Sequence, residues 1–332
     1  MTEQARRNRV NSAMPRNHND PETNHTIFSR KGFIFDLIVL LVLVALSQNL
    51  SAQTNREVKS IRLGLISDND PSAVQEHFRE FVRLVARRLS ARLENDAMVL
   101  IAPTIFDMAK LLEQQRVDFY MESPYATYLI NYVHGVGKTL LRRWKGGQAE
   151  YQGLIITKRE SGIKQLSDLR GKSIVFKDSG STSGYLLPKI LLSRKGFKLV
   201  EKRDYDPFLL PDEITYFFAR SQRGLLQSLL TGQAAAAAMS DEDYAGLDKN
   251  ERAEIAVLDQ TEKLARHLVS VRSDFPPPWI NNLEKVLLSM HEDEDGRRVL
   301  SRIDQTTKFD RIPGGEDALR KKLLEVFASD RR

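Results

Sequence analysis

The sequence of 332 residues contains no cysteine. This absence excludes disulfide bonds, thiolate metal sites, cysteine nucleophiles and the lipid-modified cysteine through which many exported proteins are anchored. Histidine is also scarce, with six residues and no pair at the helical spacing of a zinc site. We therefore expect neither a metal nor a cofactor, and any attachment to a membrane would have to be made by the peptide chain itself.

Motifs of catalysis are missing as well. The stretch Gly180–Gly184 is rich in glycine, but it lacks the lysine of a phosphate-binding loop and the spacing of a dinucleotide site. Ser183 does not lie in a Gly-x-Ser-x-Gly turn, and no His/Asp pair can be placed beside it. The sequence therefore predicts that the protein is not an enzyme, and an enzyme that uses the same cleft is only a third hypothesis.

The excess of positive charge is mild. The net charge of +6 falls to +4 when residues 1–52 are set aside, because they hold six basic and four acidic residues. The remaining basic residues are interspersed with acids and form no long stripe beside aromatic residues. This pattern is compatible with an anionic ligand and argues against a nucleic-acid partner.

The N-terminal segment has the layout of an export signal. Residues 1–29 are polar and basic, Lys31 follows, and Phe33–Leu46 is an apolar run of 14 residues that contains Asp36. The run is short for a membrane span of about 20 residues, and the small residues at 51–52 offer a cleavage site. Two alternatives remain open, a cleaved signal and a retained membrane anchor, and both place the rest of the chain outside the cytoplasm.

Strand-like and helix-like segments alternate in the rest of the chain. Ile61, Leu63 and Leu65 recur with the two-residue period of a strand, and apolar residues of 74–89 recur with the period of an amphipathic helix. The same alternation continues to residue 121 and starts again near Tyr151, which predicts two α/β lobes with parallel sheets. The run Ala234–Ala238 favours a helix by propensity, but we predict a strand because a glycine interrupts the preceding helix.

One motif resembles a known family. The segment Asp178–Pro188, with the sequence DSGSTSGYLLP, is similar to the signature of the phosphonate, phosphite and phosphate substrate-binding proteins of ABC transporters, the PhnD-like family. Flanking motifs agree in order: Leu166–Lys172, Val117–Pro124 and Gly232–Asp241. The resemblance covers roughly residues 59–320, nearly the whole chain beyond the N-terminal segment.

The resemblance implies the type II periplasmic-binding-protein fold, in which two α/β lobes enclose a central cleft and are joined by two crossing hinge strands. The crossings are expected near Tyr151–Thr157 and His267–Val271. The predicted domains are residues 1–53 as signal peptide or membrane anchor, residues 54–152 with 265–332 as a discontinuous first lobe, and residues 153–264 as the second lobe.

The motif itself gives a physical reason for anion binding. Ser181, Thr182 and Ser183 bring three hydroxyls and successive backbone N–H groups to a helix start, where the helix dipole also favours negative charge. The resemblance adds Ser123 and Tyr125 from the first lobe. The competing interpretation is ordinary helix capping, since serine and threonine often begin helices.

The remaining candidate residues mark departures from the family. Gln222 stands where the family commonly has histidine, Arg223 replaces an acid, and Glu122 lies beside the expected cleft. Ser240 and Asp241 complete the candidate ligand-binding set, and Asp241 resembles an acid that contacts an amine. These departures argue against an aminophosphonate as the ligand.

The sequence thus predicts a periplasmic, monomeric solute-binding protein that captures a small phosphonate-like or phosphate-like oxyanion and delivers it to an ABC transporter permease. The alternative is a ligand-sensing module that an uncleaved N-terminal helix tethers to the inner membrane and that reports to a membrane sensor.

Overall fold

Fourteen strands and ten α-helices form the part of the chain that the structure, a computed structural model, describes: residues 58–67, 70–202 and 210–328. The strands are β1 (Ile61–Ile66), β2 (Ala97–Ala102), β3 (Phe119–Glu122), β4 (Gly137–Lys145), β5 (Glu150–Tyr151), β6 (Gly153–Lys158), β7 (Ser173–Phe176), β8 (Lys198–Glu201), β9 (Glu213–Phe218), β10 (Ala236–Ser240), β11 (Ile255–Gln260), β12 (Leu264–Ala265), β13 (His267–Arg272) and β14 (Thr306–Asp310). The helices are α1 (Pro71–Leu89), α2 (Ile105–Glu113), α3 (Pro124–Thr127), α4 (Leu187–Arg194), α5 (Gln222–Leu230), α6 (Asp241–Ala245), α7 (Lys249–Glu254), α8 (Pro277–Ser289), α9 (Glu294–Arg302) and α10 (Gly315–Phe327). The predicted export segment lies outside the described residues.

The first sheet has the strand order β14-β4-β13-β3-β1-β2. Its strands β1, β2 and β3 are parallel, whereas β13 runs antiparallel between β3 and β4. Helix α1 covers one face, because its apolar stripe, which includes Phe81 and Val85, is fully buried against the strands. The six strands of the first sheet thus come from two distant parts of the chain, residues 61–145 and 267–310.

The second sheet has the order β11-β6-β10-β7-β9-β8 and is built from residues 153–260 alone. Strand β10 contains the alanine run, and Ala236, Ala237 and Ala238 are fully buried. The predicted strand at this position is therefore confirmed against helix propensity. Apolar side chains cover both faces of this central strand, so its own side chains are small.

A short two-stranded ribbon lies between the two sheets along the chain. Strand β5 pairs antiparallel with β12, with Leu264 opposite Tyr151. The crossings between the lobes were predicted near residues 151–157 and 267–271. In the structure, residues 153–158 already belong to the second sheet and residues 267–272 to the first sheet. The connections therefore occupy residues 146–152 and 261–266.

Within residues 58–67, 70–202 and 210–328, no helix is both long enough and apolar enough to cross a bilayer.

Candidate functional site

Two helix starts, one following each sheet, meet directly. Ser123 and Pro124 start helix α3 after strand β3, and Thr182 starts a π-helical turn, Thr182–Leu186, that runs into α4. The backbone N–H of Tyr125 donates to the Oγ1 atom of Thr182 at 3.3 Å. The structure therefore brings together the candidate residues that the sequence placed in different lobes.

Thr182 and Ser183 are buried at this meeting point, with exposures of 2% and 6%. Strand β6 approaches them so closely that a Cβ added to Gly153 would lie 2.4 Å from the carbonyl oxygen of Ser183. A side chain at Gly184 would similarly meet the Ser181 hydroxyl at 2.8 Å. Two glycines are thus needed for the backbone to approach the helix start.

The three candidate serines outside this buried pair act as helix caps. The hydroxyl oxygen of Ser181 accepts from the Gly184 N–H at 3.0 Å, that of Ser240 from the Asp243 N–H at 2.9 Å, and that of Ser123 from the Ala126 N–H at 3.5 Å. The capping interpretation therefore holds for these residues. Each hydroxyl still has a proton to donate, because a capping oxygen uses only its acceptor side.

Tyr151, at the end of the ribbon strand β5, extends the site. Burial raises the pKa of Tyr151 to about 12, while hydrogen bonding with Thr182 and Ser183 and the positive charge of Arg266 act in the opposite direction. The phenol therefore keeps its proton near neutral pH and lies among the hydroxyls of the helix start.

Arg266, in the second connection between the sheets, lies beside Tyr151. Its guanidinium carbon is 5.2 Å from the centre of the Tyr151 ring, and the residue is only 5% exposed. Its Nη2 atom forms an ion pair with Glu242, but Nε and Nη1 have no hydrogen-bond partner within the described part of the chain. A buried guanidinium with unpaired N–H groups is costly unless a ligand satisfies it.

Gln222 and Asp241 lie at the same end of the second sheet. The Nε2 atom of Gln222 is 3.8 Å from the sulfur of Met239 in strand β10, which ends next to Asp241. The Oε1 atom of Gln222 and the Oδ1 atom of Asp241 are buried without a partner among the described residues. Burial raises the pKa of Asp241, and the backbone N–H of Gln152 and the charge of Arg266 oppose that shift.

A cavity of about 1280 Å³ opens beside these residues. It is lined by both halves of the chain, with Lys145 and Gln148 from the first side and Gln222, Glu242 and Asp243 from the second. Gln222 and Glu242, the ion-pair partner of Arg266, therefore both line this cavity.

A second group of ionisable residues lies at the edge of the first sheet. Glu122 accepts from the backbone N–H of Ile66 at 2.8 Å, and its burial raises its pKa to about 7. His267 has its pKa lowered well below the usual value by burial and by nearby positive charges, and it lines a cavity of about 500 Å³ with Glu122 and Arg143. Sequence analysis noticed Glu122 alone in this group.

Sequence analysis also missed Tyr151 and Arg266 as site residues. Tyr151 was recognised only as the first residue of a strand, and Arg266 was not considered because it precedes a strand-like run. A basic residue within a predicted hinge of an anion-binding fold is the signal that could have identified Arg266. No group of three or more His, Asp or Glu side chains in the described part of the chain has the arrangement of a metal site.

Comparison with known proteins shows the family. The profile described as "ABC transporter, phosphonate, periplasmic substrate-binding protein" matches residues 63–313. A Mycolicibacterium smegmatis protein named phosphate-import protein PhnD is 30% identical over 156 residues, which cover 39% of this chain. The chain therefore spans about half, 47%, of the length of that curated relative.

Solved structures show the fold. The protein XAC2383 of Xanthomonas citri, in a structure bound to ATP, has a TM-score of 0.72 and 24% identity over 81% of this chain and 98% of its own. PhnD1 of Prochlorococcus marinus, in complex with methylphosphonate, has a TM-score of 0.60 and 14% identity over 82% and 98%. These likenesses confirm the predicted type II periplasmic-binding-protein fold. The chain belongs to the family of periplasmic substrate-binding proteins of phosphonate ABC transporters.

Proposed function

We propose that the protein binds a small phosphonate-like or phosphate-like oxyanion between its two lobes, at the place where Thr182 meets Tyr125. The carrying observation is this direct contact between two helix starts, at which buried hydroxyls and a backbone N–H converge. Both helix starts present the positive end of a dipole, so an anion between them would be stabilised from both sides.

The ligand-binding roles of the candidate residues follow from this placement. Thr182 and Ser183 would donate from buried hydroxyls, and Tyr125 would donate through its backbone N–H. Tyr151 would donate its phenolic proton, because its pKa is raised to about 12 and the group stays neutral. Ser181, Ser123 and Ser240 would hold the helix starts in place through their capping bonds.

Gln222 and Asp241 would contact the part of the ligand that points toward the larger cavity. Both carry a buried acceptor oxygen without a partner in the described residues, so they suit a ligand with a donor group there. The buried donors of Thr182 and Tyr151 suit the oxyanion. The site would therefore have a donor part for the oxyanion and an acceptor part for the rest of the ligand.

The family supports a transport role. Its described function is that of a periplasmic component of a phosphonate ABC transporter, and two relatives carry names or ligands of the same chemical class, phosphate import and methylphosphonate. We propose delivery of the anion to a permease, and a location in the periplasm, either free or tethered by the apolar run at 33–46. The proposed boundary between the lobes follows the predicted one, at residues 152–153 and 264–265.

Calorimetric titration of the full chain with phosphate, phosphite, methylphosphonate, sulfate and acetate tests the proposal. We expect binding of at least one tetrahedral phosphorus oxyanion. Replacing Thr182 by valine and Ser183 by alanine should weaken that binding by about 1–3 kcal/mol for each lost buried hydrogen bond.

The matched control is Ser228→Ala, which removes another buried hydroxyl of the second lobe, one that donates to Gln233 at 3.0 Å. This variant should lose stability but keep the wild-type affinity. Absence of binding to every oxyanion, or an equal loss of affinity in the control, would contradict the proposed function.

A further inference from the structure

Among the buried arginines of the described residues, Arg266 has the most nitrogens without a hydrogen-bond partner, Nε and Nη1, compared with Nε alone in Arg272. Arg143 is also buried, but its nitrogens bond to Thr306, to the carbonyl of Ile303 and to Asp304. Arg266 has only Glu242, through Nη2. Its Nε and Nη1 atoms therefore keep three N–H groups without a partner among the residues that the structure describes.

The surroundings of Arg266 connect it to the proposed anion site. The guanidinium carbon lies 5.2 Å from the centre of the Tyr151 ring, and Tyr151 is close enough to the Thr182 and Ser183 hydroxyls for them to influence its pKa. Asp241 is close enough to interact electrostatically with the guanidinium. Arg266 thus lies one side chain away from the helix start, on the side of the connection between the sheets.

The single ion-pair partner leaves much of the charge of Arg266 uncompensated. The side chain of Glu242 is 36% exposed, whereas that of Arg266 is 6% exposed. A carboxylate that faces water is screened, while a buried guanidinium acts in a medium of low polarity, where charge interactions are several-fold stronger.

We propose that Arg266 binds the anion directly through Nη1 and Nε and selects ligands that carry two negative charges, that is, unesterified phosphonates or phosphates. The inference rests on the proposed function and deepens it. Neutral hydroxyls such as those of Thr182 and Ser183 stabilise a singly and a doubly charged oxyanion by hydrogen bonds of similar kind. A buried cation adds a Coulombic term that grows with the charge of the ligand.

The test compares methylphosphonate, which carries two charges at pH 8.5, with its monomethyl ester, which carries one. Titration calorimetry of the full chain at that pH gives the ratio of the two affinities. For wild-type protein we expect a preference of at least about 10-fold for the free phosphonate, because a charge-assisted hydrogen bond contributes that much. In Arg266→Met this preference should fall about 10-fold, and the affinity for methylphosphonate should drop about 10- to 100-fold.

A purely structural role would give another pattern. If Arg266 only supports the fold, Arg266→Met would weaken both ligands by the same factor or leave both unchanged, and the ratio would stay at its wild-type value. Arg311→Met is the matched control, since it removes an arginine that is 74% exposed and paired with Glu284. This control should keep both affinities.

Arg266→Lys keeps the charge and provides a second test should the methionine variant fail to fold. It should retain part of the preference for the free phosphonate and lose affinity relative to wild type, because the lysine side chain is shorter and its ammonium group is more strongly hydrated. An unchanged preference ratio in both variants overturns the role of Arg266 while leaving the proposed function intact. Failure of the wild-type protein to bind either ligand would overturn both.

Discussion

Single residues decide the chemistry of the cleft, and the most informative ones are buried polar groups. Glu122 lies beside the site with its carboxylate held by the N–H groups of Ile66 and Ser123. Those bonds and the charge of Arg143 lower its pKa, but burial is the larger effect and raises the pKa to about 7. Between pH 4.5 and about 7, the Glu122 carboxyl of the folded protein therefore keeps a proton that the same group releases in the unfolded chain.

This gives a prediction on the pH dependence of stability. The pKa of Glu122 rises from 4.5 to about 7 on folding, so its contribution to stability is lost as the pH rises through this window. The loss amounts to roughly 3 kcal/mol. We expect Glu122→Gln to flatten the difference in urea-denaturation free energy between pH 5 and pH 8.

Glu113→Gln is the control, since this glutamate is exposed at the end of helix α2. It should show the wild-type dependence on pH. Equal pH dependence in Glu122→Gln and in wild type would contradict the raised pKa of the buried Glu122 carboxyl.

At the scale of residues, the sequence predicted the part of the site that lies in one continuous motif. Thr182 and Ser183 could be found because their neighbours carry the family signature. Arg266 and Tyr151 could not, because their proximity to Thr182 depends on how the ribbon strands β5 and β12 pair. Capping was the competing interpretation of the hydroxyls at helix starts, and the hydroxyls of Ser123 and Ser240 do cap their helices.

At the scale of elements, close contact between strand β6 and the π-helical turn shapes the site. Gly153 pairs with Ser240 of strand β10, and its backbone N–H donates to the Thr261 hydroxyl at 2.9 Å. A side chain at this position would run into the Ser183 carbonyl. The Pro188 ring of helix α4 lies 3.0 Å from the same point, so the turn and the start of α4 would both have to shift.

Gly153→Ala should therefore destabilise the protein by about 1–3 kcal/mol through overpacking and should also weaken anion binding, because the helix start would shift. Thermal denaturation and titration with methylphosphonate measure the two effects.

Gly246→Ala is the control, because a Cβ there meets only backbone at 3.5 Å, an ordinary contact distance. It should leave the stability and the affinity close to wild type. A Gly153→Ala protein with wild-type affinity and stability would show that β6 does not fix the helix start.

Elements with regular periodicity were predictable, and others were not. The sequence alternates in strand β1, has helical spacing in helix α1 and is interrupted by a glycine before the alanine strand β10. The structure contains all three elements. Strand β4 was missed because charged residues occupy it, including Arg143, whose burial depends on partners at 303–306 that are distant in the sequence. The pairing of such charges is a tertiary property that local patterns do not contain.

At the scale of the whole molecule, the two α/β halves touch at the proposed site rather than only through their connections. Thr182 and Ser183 are almost fully buried, and Thr182 contacts Tyr125 of the other half, so separation of the halves would expose Thr182 to a ligand. Hinge motion around residues 146–152 and 261–266 would provide this access, as in other two-lobed binding proteins. Arg266 belongs to one of these connections, so hinge motion would change its position relative to the bound anion.

The molecule as a whole was the most predictable level. The order of motifs along the chain indicated two α/β lobes, and the structure has two six-stranded sheets, the first with strands from residues 61–145 and 267–310. The positions of the crossings could not be read with the same accuracy, because short ribbon strands of two residues have no recognisable period.

A crystal structure of the protein grown with methylphosphonate tests the central claim most directly. The account predicts the phosphonate group between the two helix starts, with its oxygens within hydrogen-bond distance of the Thr182 and Ser183 hydroxyls and of the Arg266 guanidinium. A phosphonate bound elsewhere on the protein, with Thr182 still accepting from the Tyr125 N–H, would contradict it.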